Sequence, residues 1–278
     1  MNLKNRVAIM YDFDETLAPG NMQEYGFIPN LNINANEFWK EAGIMAKTHN
    51  MDSILAYMYV MVKMAKDSNL RINKEELTKQ GKLITYFNGV RTWFKRINDY
   101  ARKLNLVVEH YIISCGLKEI LEGTSIAKEF TRMYGCSFTY DKDGAPIWPN
   151  NVINYTSKTQ FIYRVRKRQL DNLYDSYELN EYVEDRDTLL PHSNMIYIGD
   201  GETDVPCMKI VKNAGGHSIC VYNPNKKTKK KIADKIYSNG RVSFIAPADY
   251  SEDSKIEEIV KSILDKISLN NRMETYQE

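Results

Sequence analysis

The run Arg6-Val7-Ala8-Ile9-Met10-Tyr11-Asp12-Phe13-Asp14-Glu15-Thr16 is short, apolar and β-branched up to Tyr11. It therefore predicts a buried strand. Two carboxylates end it, and Pro19-Gly20 then breaks the chain. Two later segments repeat this design. Leu106-Val107-Val108 leads through Glu109-His110 into Tyr111-Ile112-Ile113 and stops at Ser114-Cys115-Gly116. Met195 to Ile198 stops at Gly199-Asp200-Gly201, with Asp204 close behind. In an open α/β sheet, ligands bind outside the carboxyl ends of the strands. Three strand ends would thus bring Asp12, Asp14, Asp200, Asp204 and Ser114 to one edge.

The intervening sequence completes an α/β pattern. Between residues 21 and 103 strand signals are scarce and helical ones frequent. Apolar residues at 54, 55, 58, 61, 62 and 65 form an amphipathic stripe, and further helical patterns cover roughly 35–48, 74–86 and 89–103. Cys136 to Tyr140, the turn Asp141-Lys142-Asp143-Gly144 and Ala145 to Trp148 predict a hairpin. Ser157 reads as the N-cap of a helix through about Arg168. Residues 170–190 are polar and acidic, an elaboration or a loop, and Ser218 to Tyr222 is one more strand. Strands alternating with helices indicate a doubly wound, mostly parallel sheet.

Composition limits the function classes. The chain has 278 residues, and about 150 per domain allows two domains or one with an insertion. With 38 basic and 36 acidic residues the net charge is +2, which argues against a general nucleic-acid binder. The four cysteines show neither a CxxC pair nor zinc spacing, so a reducing compartment is expected. The apolar start is too short for a signal peptide. Ser53 to Val62 falls well short of the roughly 18 residues a membrane span needs. A soluble, cytoplasmic protein without a membrane partner is the expectation; the oligomeric state is left open.

Carboxylates at such an edge suit metal-assisted phosphoryl transfer. Mg²⁺ takes hard oxygen ligands, usually one or two carboxylates besides water and substrate phosphate. One carboxylate can act as nucleophile and a second as general acid and base. Without a cation the acidic groups would repel a phosphate, so the chemistry requires the metal. A calcium loop starting at Asp200 is excluded, because its sixth and twelfth positions are Val205 and Val211 rather than Gly and Glu.

Asp12-Phe13-Asp14-Glu15-Thr16 resembles the DxDxT motif of the haloacid dehalogenase superfamily. Ser114, Lys158 and Gly199-Asp200-Gly201-Glu202-Thr203-Asp204 are similar to its second, third and fourth motifs, in the family's order. Nearly the whole chain is similar to the phosphoserine-phosphatase-like branch, whose helical cap lies between the first and second motifs. The resemblance implies a Rossmann-like core from residues 1–20 and 104–278 and a helical cap over 21–103. It implies Asp12 as nucleophile and Asp14 as general acid/base. Mg²⁺ would be held by the Asp12 and Asp200 carboxylates and the Asp14 backbone carbonyl, with Asp204 orienting the metal's water. Thr16 would position the Asp14 loop, and Ser114, Cys115, Gly116 and Lys158 would bind the phosphoryl group, with Lys118 the fallback for Lys158. Many members of the branch carry Asn where this chain has Thr203.

The implied activity is Mg²⁺-dependent hydrolysis of a small phosphomonoester. A phosphotransferase or phosphomutase, and a silent phospho-ligand-binding regulator, are the alternatives. Substrate choice would rest on cap residues such as Glu24, Glu37, Trp39, Tyr57, Arg71 and Arg91. Other features have plainer readings: Cys115 contributes backbone, the four histidines show no ligand spacing, the methionines at 58, 61 and 64 pack a helix, and Lys226 to Lys231 form a solvated face.

Overall fold

The computed structural model describes residues 3–173, 177–182, 189–274 and 276. The expected elaboration over 170–190 falls partly on 174–176 and 183–188, outside the described residues.

Among the described residues seven strands form one sheet: β1 (Arg6–Tyr11), β2 (Val107–Leu117), β3 (Arg132–Tyr140), β4 (Pro146–Asn151), β5 (Met195–Gly199), β6 (His217–Tyr222) and β7 (Phe244–Pro247). Their order is β4-β3-β2-β1-β5-β6-β7, and only the β3–β4 pair is antiparallel. β1 is central, with Val7 to Tyr11 fully buried, as expected for a parallel strand covered on both faces. The chain builds outward from β1 through β2 and β3, then crosses to β5, β6 and β7 on the other side. β1 is thus the topological switch point, and its carboxyl end opens the crevice where such sheets bind ligands.

The hairpin follows from local chemistry. Asp141 Oδ1 accepts from the amides of Asp143 and Ala145, and Gly144 adopts φ +80°. β2 runs further than the apolar run suggested: Ser114, Cys115 and Gly116 lie within it, where its register with β3 shifts between Ile113 and Leu117.

The helices of residues 21–103 divide by what they touch. Helix Ala35–His49 starts with a capping box between Asn34 and Glu37 and ends at Asn50 in the left-handed region. It packs on helix Ser53–Asp67, where Asp52 caps the amides of Ile54 and Leu55. The second carboxylate oxygen of Asp52 accepts from Asn154 Nδ2 at 3.0 Å, which ties this helix to the loop before Lys158.

The pattern over 74–86 forms a shorter helix, Lys74–Gln80, followed by a 3₁₀ turn Gly81–Leu83. A Cβ on Gly81 would lie 2.3 Å from the Ile120 carbonyl oxygen, so this turn abuts the backbone of the Lys118–Glu122 helix. Helix Val90–Lys103 packs on β2 and on the C-terminal helix Lys255–Glu274. Its Trp93 Nε1 donates to Tyr11 Oη at 2.9 Å; Tyr11 in turn meets His110 Nδ1, and His110 Nε2 meets Asn98 Oδ1, each at 3.0 Å. This buried chain of hydrogen bonds fixes β1 one residue before Asp12.

Candidate active site

Asp12 leaves β1 with its amide still on the ladder, donating to the Ile198 carbonyl at 2.9 Å. The chain then turns tightly: the Phe13 carbonyl accepts from Thr16, Leu17 and Ala18, and Glu15 takes φ +56°. Asp14 points back over the sheet edge. Its Oδ1 accepts from the Met22 amide at 2.9 Å, and a Cβ on Gly116 would lie 3.3 Å from its Oδ2. Met22 Sδ accepts from the Leu117 amide. The segment after Pro19-Gly20 is thereby fastened onto the irregular end of β2 that carries Ser114, Cys115 and Gly116. Thr16 is buried beneath the turn. Its carbonyl accepts from Tyr250 at 2.9 Å, while its hydroxyl has no hydrogen-bond partner among the described residues.

Ser114 Oγ accepts from the Gly116 amide at 3.0 Å within the irregular end of β2, and the Cys115 carbonyl accepts from the Tyr57 hydroxyl at 2.8 Å. Burial pushes the Cys115 thiol far up, so it stays neutral and supplies no thiolate.

Lys158 opens the helix Lys158–Lys167. Ser157 holds the N-cap position without capping through its side chain; Asn154 Oδ1 takes the Thr156 and Ser157 amides instead. The Lys158 ammonium is 1% exposed and reaches Asp12 Oδ1 at 2.7 Å and Asp204 Oδ1 at 2.8 Å. Lys118, by contrast, pairs with Glu122 on its own helix.

Asp204 has both oxygens engaged. Oδ1 also accepts from Tyr197 at 2.7 Å, and Oδ2 accepts from the Asp200 amide at 3.2 Å. Carboxylate oxygens of Asp12, Asp200 and Asp204 all lie within 4.8 Å of one another.

The electrostatics follow from crowding. Burial pushes Asp12 up to about 7; Lys158 pulls the other way, and Asp204 and Asp200 add to the rise. Burial, and then the neighbouring Asp204, raise Asp200 to about 6 against the opposing Lys229. Asp14 is held well above the usual carboxylate range by burial, then by Asp12, with Glu24 adding to it. Burial alone would depress the Lys158 ammonium, but Asp12 and Asp204 together hold it well above its ordinary value. Carboxylates whose charge is this strained would gain from a divalent cation, and Asp12 and Asp200 each keep one oxygen outside the ion pairs. The residues therefore fit a hard cation such as Mg²⁺.

Known proteins share this arrangement of strands and helices. Two structures of phosphoserine phosphatase, a phospho-aspartyl intermediate analogue and a substrate-bound complex, superpose with a TM-score of 0.55 each. They are 16% and 15% identical and are covered over 99% and 98% of their length by 93% and 92% of this chain. The chain has the haloacid dehalogenase fold in its phosphoserine-phosphatase-like form. A HAD family hydrolase from Salmonella enterica serovar Typhi superposes with a TM-score of 0.53 at 17% identity; 82% of this chain spans 66% of that one, just under two thirds of its length. In sequence, an uncharacterized protein of Borreliella burgdorferi is 26% identical over 295 residues, covering 96% of this chain and 98% of that protein. No family model matches the chain.

Within this fold the six candidate specificity residues separate. Glu24 Oε1 accepts from Trp39 Nε1 at 2.8 Å, and the Trp39 and Tyr57 rings meet edge to face with centroids 6.0 Å apart. These three therefore form one cluster beside Asp14. Glu37 is spent on a helix cap, Arg91 lies over the Tyr86 ring, and Arg71 is exposed.

The lysine run departs from its solvated reading. It caps and begins the helix Lys227–Ser238 and aims two side chains at acidic groups of the sheet edge, the partly buried Lys229 and the exposed Lys226. Lys229 Nζ lies 2.7 Å from Asp200 Oδ2, and Lys226 Nζ lies 2.6 Å from Glu15 Oε1. The only sequence signal for this was the strand end at Tyr222–Asn223, which sits on the same sheet edge. No helix of the described residues is long and apolar enough to cross a membrane.

Proposed function

We propose that the protein is a Mg²⁺-dependent phosphatase that hydrolyses a small phosphomonoester through an aspartyl-phosphate on Asp12. The observation that carries this reading is the pair of carboxyl groups at the end of β1 in different surroundings. Asp12 is ion-paired to Lys158. Asp14 lies two residues on and is not bonded to Lys158, whose weaker pull does not offset burial and Asp12, so its proton is favoured. A nucleophile needs a charged carboxylate, and a general acid needs a proton to give.

In the first step an Asp12 oxygen forms a bond to phosphorus and the ester P–O bond breaks. Asp14 gives its proton to the departing alkoxide, which leaves as the alcohol. In the second step Asp14, now a carboxylate, takes a proton from water as the hydroxide adds to phosphorus. The Asp12–phosphorus bond breaks, inorganic phosphate leaves, and both carboxyl groups return to their starting states. Lys158, the Ser114 hydroxyl and the Cys115 amide would hold the phosphoryl oxygens, joined by the Gly116 amide once it leaves Ser114 Oγ. Asp12, Asp200 and the Asp14 carbonyl would hold Mg²⁺, which when bound supplies charge neutralisation for the phosphoryl group. Asp204, with both oxygens already engaged, would act on the metal's water and on Lys158.

The helices Ala35–His49 and Ser53–Asp67 would form the cap, with Glu24, Trp39 and Tyr57 beside the leaving group, while helix Lys74–Gln80 packs on Lys118–Glu122 beside β2. Helix Val90–Lys103, which packs on the sheet, would belong with the core. A cytoplasmic setting accords with four free cysteines.

The test is a phosphate-release screen over a panel of phosphometabolites with and without Mg²⁺, with Asp12→Asn as control. Release that needs Mg²⁺ and vanishes in Asp12→Asn is the expected result. Full activity in Asp12→Asn would sink the reading.

A further inference from the structure

The mechanism leaves Lys229 unused, yet its place is unusual. It lies in the first turn of helix Lys227–Ser238, where the helix macrodipole disfavours a cation. Asp200 is what compensates: its Oδ2 is 2.7 Å from the ammonium. A second acceptor stands next to it. Glu15 Oε2 is buried, has no hydrogen-bond partner among the described residues, and lies 4.0 Å from Lys229 Nζ. Its other oxygen is already held by Lys226. Glu15 keeps this place although its backbone is in the left-handed region, which is costly for a residue with a Cβ. One ammonium thus faces two carboxylates, the buried Asp200 and the part-buried Glu15 with its buried Oε2. One of them is a ligand of the proposed metal site, and the other has an acceptor to spare.

We propose that Lys229 is a cationic placeholder for the metal: it neutralises Asp200 in the metal-free protein and moves to Glu15 when a divalent cation takes Asp200. The proposal rests on the metal-dependent reading above. It follows from simple electrostatics. The metal-free cluster of Asp12, Asp200 and Asp204 has Lys158 on two of its members and would leave Asp200 uncompensated without Lys229. When a divalent ion arrives, an ammonium on the same carboxylate repels it. A short side-chain movement relieves that repulsion and satisfies the bare Glu15 oxygen. Lys229 would thereby lower the affinity for the metal and keep its binding reversible, while guarding the empty site against collapse.

The experiment is calorimetric titration of Mg²⁺ into chelator-treated protein, paired with the melting temperature of the metal-free form. Lys229→Met is expected to bind Mg²⁺ about tenfold more tightly and to melt lower when metal-free. Glu15→Gln should bind more weakly than wild type, and that deficit should shrink when Lys229→Met is added, because the second seat then has no occupant. Lys227→Met, an exposed neighbour in the same run, should match wild type in both measurements. Equal or weaker Mg²⁺ binding by Lys229→Met, with wild type binding normally, overturns the placeholder role alone. Absence of Mg²⁺ binding in wild type and variants alike overturns the metal-dependent reading, and the placeholder with it.

Discussion

The Lys158 ammonium lies 2.7 Å from Oδ1 of Asp12, two residues 146 positions apart in the chain and both withdrawn from water. The same ammonium holds Asp204, so one positive charge is shared between two buried carboxylates. Removing one partner of such a buried pair is far more damaging than an exposed pair would suggest. Lys158→Met is expected to destabilise the fold by about 3–5 kcal/mol in urea denaturation. It should also lower phosphate release by about 10²–10³-fold, because a donor to the phosphoryl oxygens is lost. Unchanged turnover in a folded Lys158→Met protein would remove this residue from the site.

Asp14 gives a prediction that depends on the leaving group. Its carboxyl accepts from the Met22 amide and is held well above the usual carboxylate range by burial and by Asp12. A general acid contributes about 10²–10⁴-fold, and most where the leaving group is a poor one. Asp14→Asn should therefore abolish release from alkyl phosphates while sparing much of the first turnover of an aryl phosphate such as p-nitrophenyl phosphate. A rapid burst of nitrophenol followed by slow steady release is the expected trace, since the second step also needs Asp14. Equal losses on both substrates would argue against an acid role.

Much of this site was legible because its parts are local. β1 announces itself by five buried residues and the carboxylates that stop it, and the strand-end motifs fall in order. The hairpin was equally plain, since Asp141 and Gly144 form its turn by contacts within a few residues. What the sequence hid is non-local. The helical pattern over 74–86 gave no sign that Gly81 must abut the backbone of Ile120. Nor did the run Lys226 to Lys231 show which lysines aim at the sheet edge, because those that do and those that do not share one composition and one spacing. That choice is made by where Asp200 and Glu15 lie, on other segments of the sheet edge. β7 and the helix Lys255–Glu274 also went unassigned, although Ile256, Val260, Ile263, Leu264 and Ile267 form a buried helical stripe.

Gly199 tests the placement of Asp204 by volume alone. A Cβ there would lie 2.5 Å from Cγ and Oδ2 of Asp204, closer than such atoms can approach. Gly199→Ala should therefore push Asp204 off Lys158 and off the Asp200 amide. The expected cost is about 10–100-fold in metal affinity or activity, as for other groups that orient metal ligands. At Gly201 an added Cβ meets nothing within 4 Å, so Gly201→Ala should leave both quantities near wild type. Similar losses in the two variants would mean that loop flexibility, rather than the position of Asp204, governs the site.

His110 makes stability depend on pH. Its ring is buried between Tyr11 and Asn98, and burial pushes its pKa down to about 3 from an ordinary 6.5. Tyr11 accepts from Trp93 and so has its own proton for His110 Nδ1, while His110 Nε2 donates to Asn98; the network suits a neutral ring. The unfolded chain binds a proton at this position below about pH 6.5, and the folded protein resists until about pH 3. Between those limits the unfolded state holds more protons, so stability falls as the pH falls. His110 alone should contribute a slope of about 1.4 kcal/mol per pH unit across that window. His110→Gln keeps polar atoms for Tyr11 and Asn98 but cannot take up the proton. The raised carboxyl groups of Asp12, Asp14 and Asp200 act in the opposite direction in both proteins, so the readout is the difference between them. In urea denaturation at intervals from pH 7 to pH 4, wild type should lose stability relative to His110→Gln by that amount per pH unit, even where the variant is less stable at pH 7. Parallel slopes in the two proteins would place the acid sensitivity elsewhere in the fold.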